Sequence, residues 1–169
     1  MTTMKSRCSG FSLIELLVAI GLAAILAAAA VPAYSTLIKD TQLTTTASDF
    51  HNMLFKARSE AVKRGQTVQV ERLAGQPTWS GGALIYVDSD GDGTQDAGEP
   101  TLWRAGAVGA PYSIAGAATP LRFLPTGVLT VSPAIVSFTL CNDNVSGETG
   151  RSISISQTGR PSVDDFVCG

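Results

Sequence analysis

Gly10-Phe11-Ser12-Leu13-Ile14-Glu15 separates a short basic start, carrying Lys5 and Arg7, from 23 uncharged residues that run from Leu16 to Ile38. At about 1.5 Å per helical residue that run reaches roughly 35 Å, enough for the hydrocarbon core of a bilayer. Glu15 is the anomaly. A carboxylate at the edge of a membrane-spanning segment costs roughly 3 kcal/mol unless a partner neutralises it, so it marks a candidate functional site. Cleavage of the Gly10–Phe11 bond creates such a partner, a new α-amino group in the same plane, and in a polymer a neighbour's amine can meet this carboxylate. Two simpler readings compete. A secretory signal peptide cut near Ala33 has the same basic start and small residues, and a plain single-span anchor has the same length. The first places Glu15 inside its apolar core, and the second gives Gly10-Phe11 no role.

Lys5, Arg7, Gly10 and the pentapeptide Phe11 to Glu15 resemble the start of type IV pilins and pseudopilins, whose precursors carry a basic leader, a Gly and then Phe-(Thr/Ser)-Leu-(Ile/Val)-Glu. The resemblance implies cleavage after Gly10 by a prepilin peptidase, N-methylation of Phe11, residence in the inner membrane of a bacterium and later extraction into a filament. There the N-terminal helix meets other minor and major pilins, with Glu15 and Pro32 serving assembly. Positive charge before the apolar run, against Glu15 alone after it, puts the leader in the cytoplasm and the rest across the membrane, in the periplasm.

The expected organisation is a leader at 1–10, a transmembrane and assembly helix at 11–38, and one globular domain at 39–169, a normal size for a single domain. The formal charge of the whole chain is −2, and losing Lys5 and Arg7 takes the side chains to about −4, where a generic nucleic-acid binder is more often basic. Cys8 belongs to the leader. Cys141 and Cys168 remain as an even pair in an exported domain, where a disulfide ties the tail back to an earlier strand.

Pro32, with no amide hydrogen, is expected to interrupt or kink the helix. Beyond it Tyr34, Leu37, Ile38, Phe50, Met53, Leu54, Ala57 and Ala61 recur at roughly helical spacing, with Lys39, Asp40, Asp49, Lys56, Arg58, Glu60 and Lys63 between them. One long helix from about Phe11 to Arg64 follows, stopped by Gly65 with Lys63 and Arg64 in its last turn. Thr41 and Thr44 to Thr46 leave room for a break. Short β-branched runs come next: Thr67 to Leu73, Ala83 to Asp88, Thr101 to Ala105, Leu121 to Leu124, Ile135 to Cys141 and Arg151 to Ser156. Ala105 to Ala118 reads as loop. The fold class is therefore α+β, a long N-terminal helix whose amphipathic half packs on an antiparallel sheet.

Trp79, Ala83 to Asp88, Leu102-Trp103-Arg104, Phe123-Leu124-Pro125-Thr126-Gly127, Cys141, and Ser156-Gln157-Thr158-Gly159-Arg160 before Cys168 are similar in order to the GspH/FimT group. That group includes minor pilins of type IV pili and a minor pseudopilin of type II secretion, and the cysteine pair is closer to FimU-like and FimT-like minor pilins. The resemblance implies a pilin fold and a structural role in initiating a pilus, near its tip, with the β domain choosing partners. A type II secretion pseudopilin is the alternative system. A DNA receptor for natural transformation is the alternative function, with Arg151 and Arg160 as phosphate contacts; Asp164 and Asp165 oppose it. Lys56, Arg58, Lys63, Arg64 and Arg72 read more simply as a solvated helix face than as a second basic site.

Asp88-x-Asp90-x-Asp92-Gly93-Thr94-x-Asp96-x-x-Glu99 reproduces the spacing of an EF-hand loop, with four carboxylates, the Thr94 carbonyl and water-linked Asp96 as candidate calcium ligands. Its flanks are strands rather than helices, and a polar hairpin turn is the simpler reading. No cofactor is required. Enzymatic machinery is not legible: His51 is the single histidine and belongs to the helix surface, and the chain has no phosphate-binding glycine motif.

Overall fold

The computed structural model describes residues 11–117, 120–130, 135–144 and 147–169, apart from the side chains of residues 32 and 33. One helix, α1, spans Leu13–Arg64, and the chain divides into two compact units, Met1–Asp40 and Thr41–Gly169. In the first unit every described side chain is exposed. The helix runs unbroken across residue 32, so the donor that proline lacks costs one hydrogen bond without ending the ladder.

In the second unit α1 is continuous through its threonines. Thr45 and Thr46 turn their hydroxyls back to the carbonyls of Thr41 and Gln42 at 2.8 and 2.9 Å, which satisfies them within the helix. Gly65 ends α1 at φ 63°, a conformation that glycine adopts without strain. The buried stripe is Leu43, Ala47, Phe50, Met53, Leu54, Ala57 and Ala61. Of the residues expected on that stripe, Tyr34, Leu37 and Ile38 are instead exposed.

The strands are β1 (Thr67–Arg72), β2 (Ala83–Asp88), β3 (Thr101–Ala105), β4 (Tyr112–Gly116), β5 (Leu121–Phe123), β6 (Ile135–Asn142), β7 (Thr149–Ser156) and β8 (Pro161–Val167). They form two antiparallel four-stranded sheets, ordered β3-β2-β1-β5 and β4-β6-β7-β8, where one was expected. Two strands were read otherwise. Inside the segment taken for loop, β4 is held by pairing with β6 and by Ser80, whose hydroxyl accepts the Ile114 amide at 2.7 Å. The acidic tail is β8, whose Asp164 and Asp165 are exposed on an edge, where charges are tolerated and discourage further pairing.

The 3₁₀ turn Trp79–Gly81, between β1 and β2, reaches β4 of the second sheet through Ser80. Trp79 sits edge-on to Phe50 of α1 and to Phe138 of β6, with ring centroids 5.9 and 5.2 Å away, and donates its indole N–H to the Ala117 carbonyl at 2.7 Å. Phe50 and Phe138 close the triangle at 5.1 Å. Edge-to-face packing of this kind adds to the area that the rings bury. Gly116 lies against Phe138, whose ring occupies the space that any Cβ there would need.

Cys141 and Cys168 form the expected disulfide, with Cα atoms 5.9 Å apart. It ties the end of β8 to β6. A Cβ on Gly150 would clash with Cys168 Sγ and reach within 2.5 Å of the Leu140 carbonyl oxygen, so a glycine is required beneath the bridge.

Candidate assembly site

Phe11 is 80% exposed and lies just ahead of α1; the first helical bond described runs from the Leu16 amide to the Ser12 carbonyl at 3.1 Å. Glu15 falls in the first turn, exposed, where a carboxylate is favoured by the helix dipole. Gly10, on the other side of the expected cleavage point, lies outside the described residues. From Leu13 onward the helix is long and apolar enough to cross a membrane, and none of that apolar window is buried. Leu, Ile and Val side chains in such numbers on one bare segment need lipid or other protein around them.

The β domain holds its candidate groups apart. In the acidic connector between β2 and β3, Asp88 is buried at the end of β2. Its Oδ2 accepts from Arg122 at 2.6 Å and from Gln69 at 2.7 Å, and its Oδ1 accepts from the Gly91 amide at 2.8 Å. Burial alone would push this carboxyl up, but those hydrogen bonds and the guanidinium charge outweigh it and hold Asp88 below the ordinary range. Arg122 also donates to the Gly91 carbonyl. Asp92 accepts from the Thr94 amide and hydroxyl, while Glu99 accepts from the Ser89 and Asp96 amides. Two carboxylate triads result, Asp88 with Asp90 and Glu99, and Asp90 with Asp92 and Asp96, the three oxygens of each lying within 4.8 Å of one another. The neighbouring Asp92 charge pushes the Asp96 carboxyl up.

The connector folds over the outer face of the first sheet. There Gln69, Tyr86 and Arg122 share one register, and the Tyr86 hydroxyl, fully buried, donates to the Gly93 carbonyl at 3.1 Å. The EF-hand spacing thus lies in the connector between β2 and β3, and the first of its carboxylates, Asp88, is paired with a side chain, Arg122. No spacing rule in the sequence points to that residue, because it arrives from β5 through sheet pairing.

Each basic residue of α1 from Lys56 to Arg64 has a partner. Lys56 stands over the Trp103 ring, its Nζ 4.0 Å from the centroid. Lys63 and Arg64 pair with Glu60 at 3.8 and 2.7 Å. Arg58 donates to the Gly127 carbonyl at 3.1 Å. Arg58 explains two of the ordered motifs: the turns ending at Gly127 (φ 78°) and Gly159 (φ 74°) meet beside it, linked by the Leu129 amide donating to the Gln157 carbonyl at 2.8 Å. The other candidate cations do not converge. Arg151 pairs with Asp165 at 3.2 Å and donates to the Thr44 hydroxyl at 3.1 Å. Arg160 precedes β8, opposite Ser156, at the other end of β7, about 17 Å along the strand. His51 is half-buried on α1, its Nδ1 3.5 Å from the Asn52 amide oxygen.

Comparison with known proteins sharpens this picture. Residues 5–31 match the prokaryotic N-terminal methylation motif. A comparison with curated proteins gives no significant match. Among solved structures the chain is similar to the type IV minor pilin FimU of Pseudomonas aeruginosa, at 27% identity and a TM-score of 0.58, covering 75% of this chain and 90% of that one. It also has the fold of the minor pseudopilin EpsH from the type 2 secretion system of Vibrio cholerae, at 12% identity and a TM-score of 0.54, covering 75% of this chain and 97% of the other. The long N-terminal helix packed with antiparallel sheets is thus a pilin fold. Residues 46–159, about two thirds of the sequence, match the family model described as type II transport protein GspH, and the chain therefore belongs to the GspH family.

Proposed function

We propose that this chain is a minor pilin-type subunit, cut after Gly10 by a prepilin peptidase and N-methylated on Phe11. It waits in the inner membrane through residues 11–38 with its β domain in the periplasm, and then enters a pilus to help initiate the fibre near its tip. The observation that carries this reading is the division of α1. Its described side chains from Leu13 to Ile38 are bare and largely apolar, while from Leu43 onward the same helix builds a core. A segment of that kind has two suitable surroundings, lipid and a bundle of similar helices, and exchange of one for the other costs little because both are apolar. Glu15 supplies direction: its charge is neutralised when it meets the α-amino group of a neighbouring subunit, which fixes the axial register.

Greater identity to the minor pilin than to the pseudopilin favours a pilus over a secretion system. The engagement of Arg151 by Asp165 and Thr44, and its distance from Arg160, speak against a DNA receptor built on that pair.

Mass spectrometry of the membrane-extracted protein tests the processing step, and a methylated Phe11 at the N-terminus is expected; any other N-terminus overturns it. A Glu15→Ala variant is expected to accumulate in the membrane, still processed, and to be missing from sheared fibres. Normal incorporation of that variant sinks the assembly role of Glu15.

A further inference from the structure

Strand β3 is an edge, paired with β2 and with no other strand among the described residues. Beside it lies a groove of about 580 Å³ between α1, β3 and the Gly-rich segment that follows. Phe50, Met53 and Trp79 contribute apolar surface to it, and Trp103 of β3 lines it while 47% exposed. Trp103 pairs in register with Ile85, a core residue, so it is turned to the helix side of the sheet, where the Lys56 ammonium stands over its ring and about half of its surface stays open. Arg104, paired with Leu84, points to the opposite face. A bulge at Leu102 limits the regular edge to Trp103, Arg104 and Ala105. Beyond it Gly106 and Gly109 have open space where a Cβ would stand, so another backbone can come close.

We propose that this edge takes an extended segment of a partner subunit as an added strand, with apolar side chains two residues apart turned into the groove and carboxylates at the alternate positions. The proposal rests on the reading of the chain as a subunit of a pilin-type assembly. A bare row of strand amides and carbonyls is satisfied by extended main chain and not by a compact ligand. Side chains of the added strand alternate between faces. On the inner face they meet the aromatic groove, whose apolar floor is Phe50, Met53 and Trp79, with Asp49 and Lys56 of opposite charge on its helix side. On the outer face they stand opposite Arg104, where a carboxylate is the favoured cross-strand neighbour. Glu71, one strand further in on that face beyond Leu84, is not directly opposite.

Both tryptophans of the chain line the groove, so intrinsic emission reports occupancy without a label. Full-length protein in detergent micelles is titrated with acetyl-Val-Asp-Phe-Asp-Val-amide and with its lysine counterpart, in which Lys replaces both Asp. A saturable emission change is expected, with the aspartate peptide binding about tenfold more tightly. Arg104→Glu is expected to invert that order, and N-methylation of alternate peptide amides to abolish binding. Absence of a saturable change with either peptide overturns the proposal. So does binding that is indifferent to Arg104→Glu or to N-methylation. The readout does not depend on fibre formation: Glu15→Ala leaves it unchanged, so failure here and failure of the subunit reading are told apart.

Discussion

The two ends of α1 obey opposite rules. From Leu13 to Ile38 apolar side chains are plentiful and none of the described ones is buried, whereas from Leu43 to Ala61 fewer apolar residues build a core with two sheets. Hydrophobicity alone therefore does not locate the core. Periodicity does: a segment apolar all round has no preferred face and demands surroundings, while a segment apolar on one stripe is finished by its own domain. Substitutions in the two halves should consequently fail in different measurements, the first in assembly and the second in folding.

The hardest test of that contrast is Phe138→Ala against Leu17→Ala. Phe138 is fully buried within the aromatic triangle, and its loss should cost about 3–5 kcal/mol in the denaturation of full-length protein in micelles. Leu17 is 57% exposed, so Leu17→Ala should leave that curve in place. Equal destabilisation by both would erase the distinction between the halves. A somewhat smaller effect is expected from replacing Cys141 and Cys168 together with serine. The bridge closes a separation of 27 residues, and its removal should cost about 3–4 kcal/mol in the chain-entropy model. Hydrogen exchange should then rise first along β8, the edge strand that the bridge secures.

Gly159→Ala comes next, at about 2 kcal/mol. The substitution puts a Cβ at φ 74° and against the Gly127 carbonyl. Gly75→Ala is the control, since Gly75 has nearly the same φ, 79°, but nothing within 4 Å of the added atom. The difference between the two in thermal denaturation isolates the contact of the turns from backbone strain.

How much of this could be read in advance follows from the range of the interactions. The N-terminal signal, the end of α1 at Gly65 and six of the strands are written locally, in a glycine, a cation pair or a β-branched run. The fourth strand is not, because Tyr112 to Gly116 sits among Gly and Ala and owes its state to β6 and Ser80. Neither is the division into two sheets, which depends on which distant strand each one pairs with. The candidate sites divide in the same way. The carboxylates of the acidic connector are close in sequence and were legible as a group, whereas Arg122, the cation that pairs with Asp88, is 34 residues from it and reaches it through β1. The order of the Gly127 and Gly159 turns was visible, but not Arg58, which joins them from the helix.

That acidic connector gives the smallest and most specific prediction. Arg122 is about one third exposed, so its pairing with buried Asp88 is partly screened, and Arg122→Met should cost about 1–2 kcal/mol at neutral pH. The sign of the pH dependence separates this pair from a passive turn. Because the Asp88 carboxyl lies below its ordinary value of 3.8 in the folded protein, its contribution is fully present above that value and is lost as pH falls through the lower, folded one. In Arg122→Met the burial cost remains while the guanidinium is gone, so the carboxyl rises toward its ordinary value and its charged form contributes less to folding at neutral pH. The gap in melting temperature between parent and variant should be widest near pH 7 and shrink on acidification below about pH 4. Other carboxylates titrate in both proteins, and taking the difference cancels them. A gap that stays constant from pH 7 to pH 3 would mean that Arg122 supports the connector through packing alone, and that the acidic loop needs no internal cation to close over the first sheet.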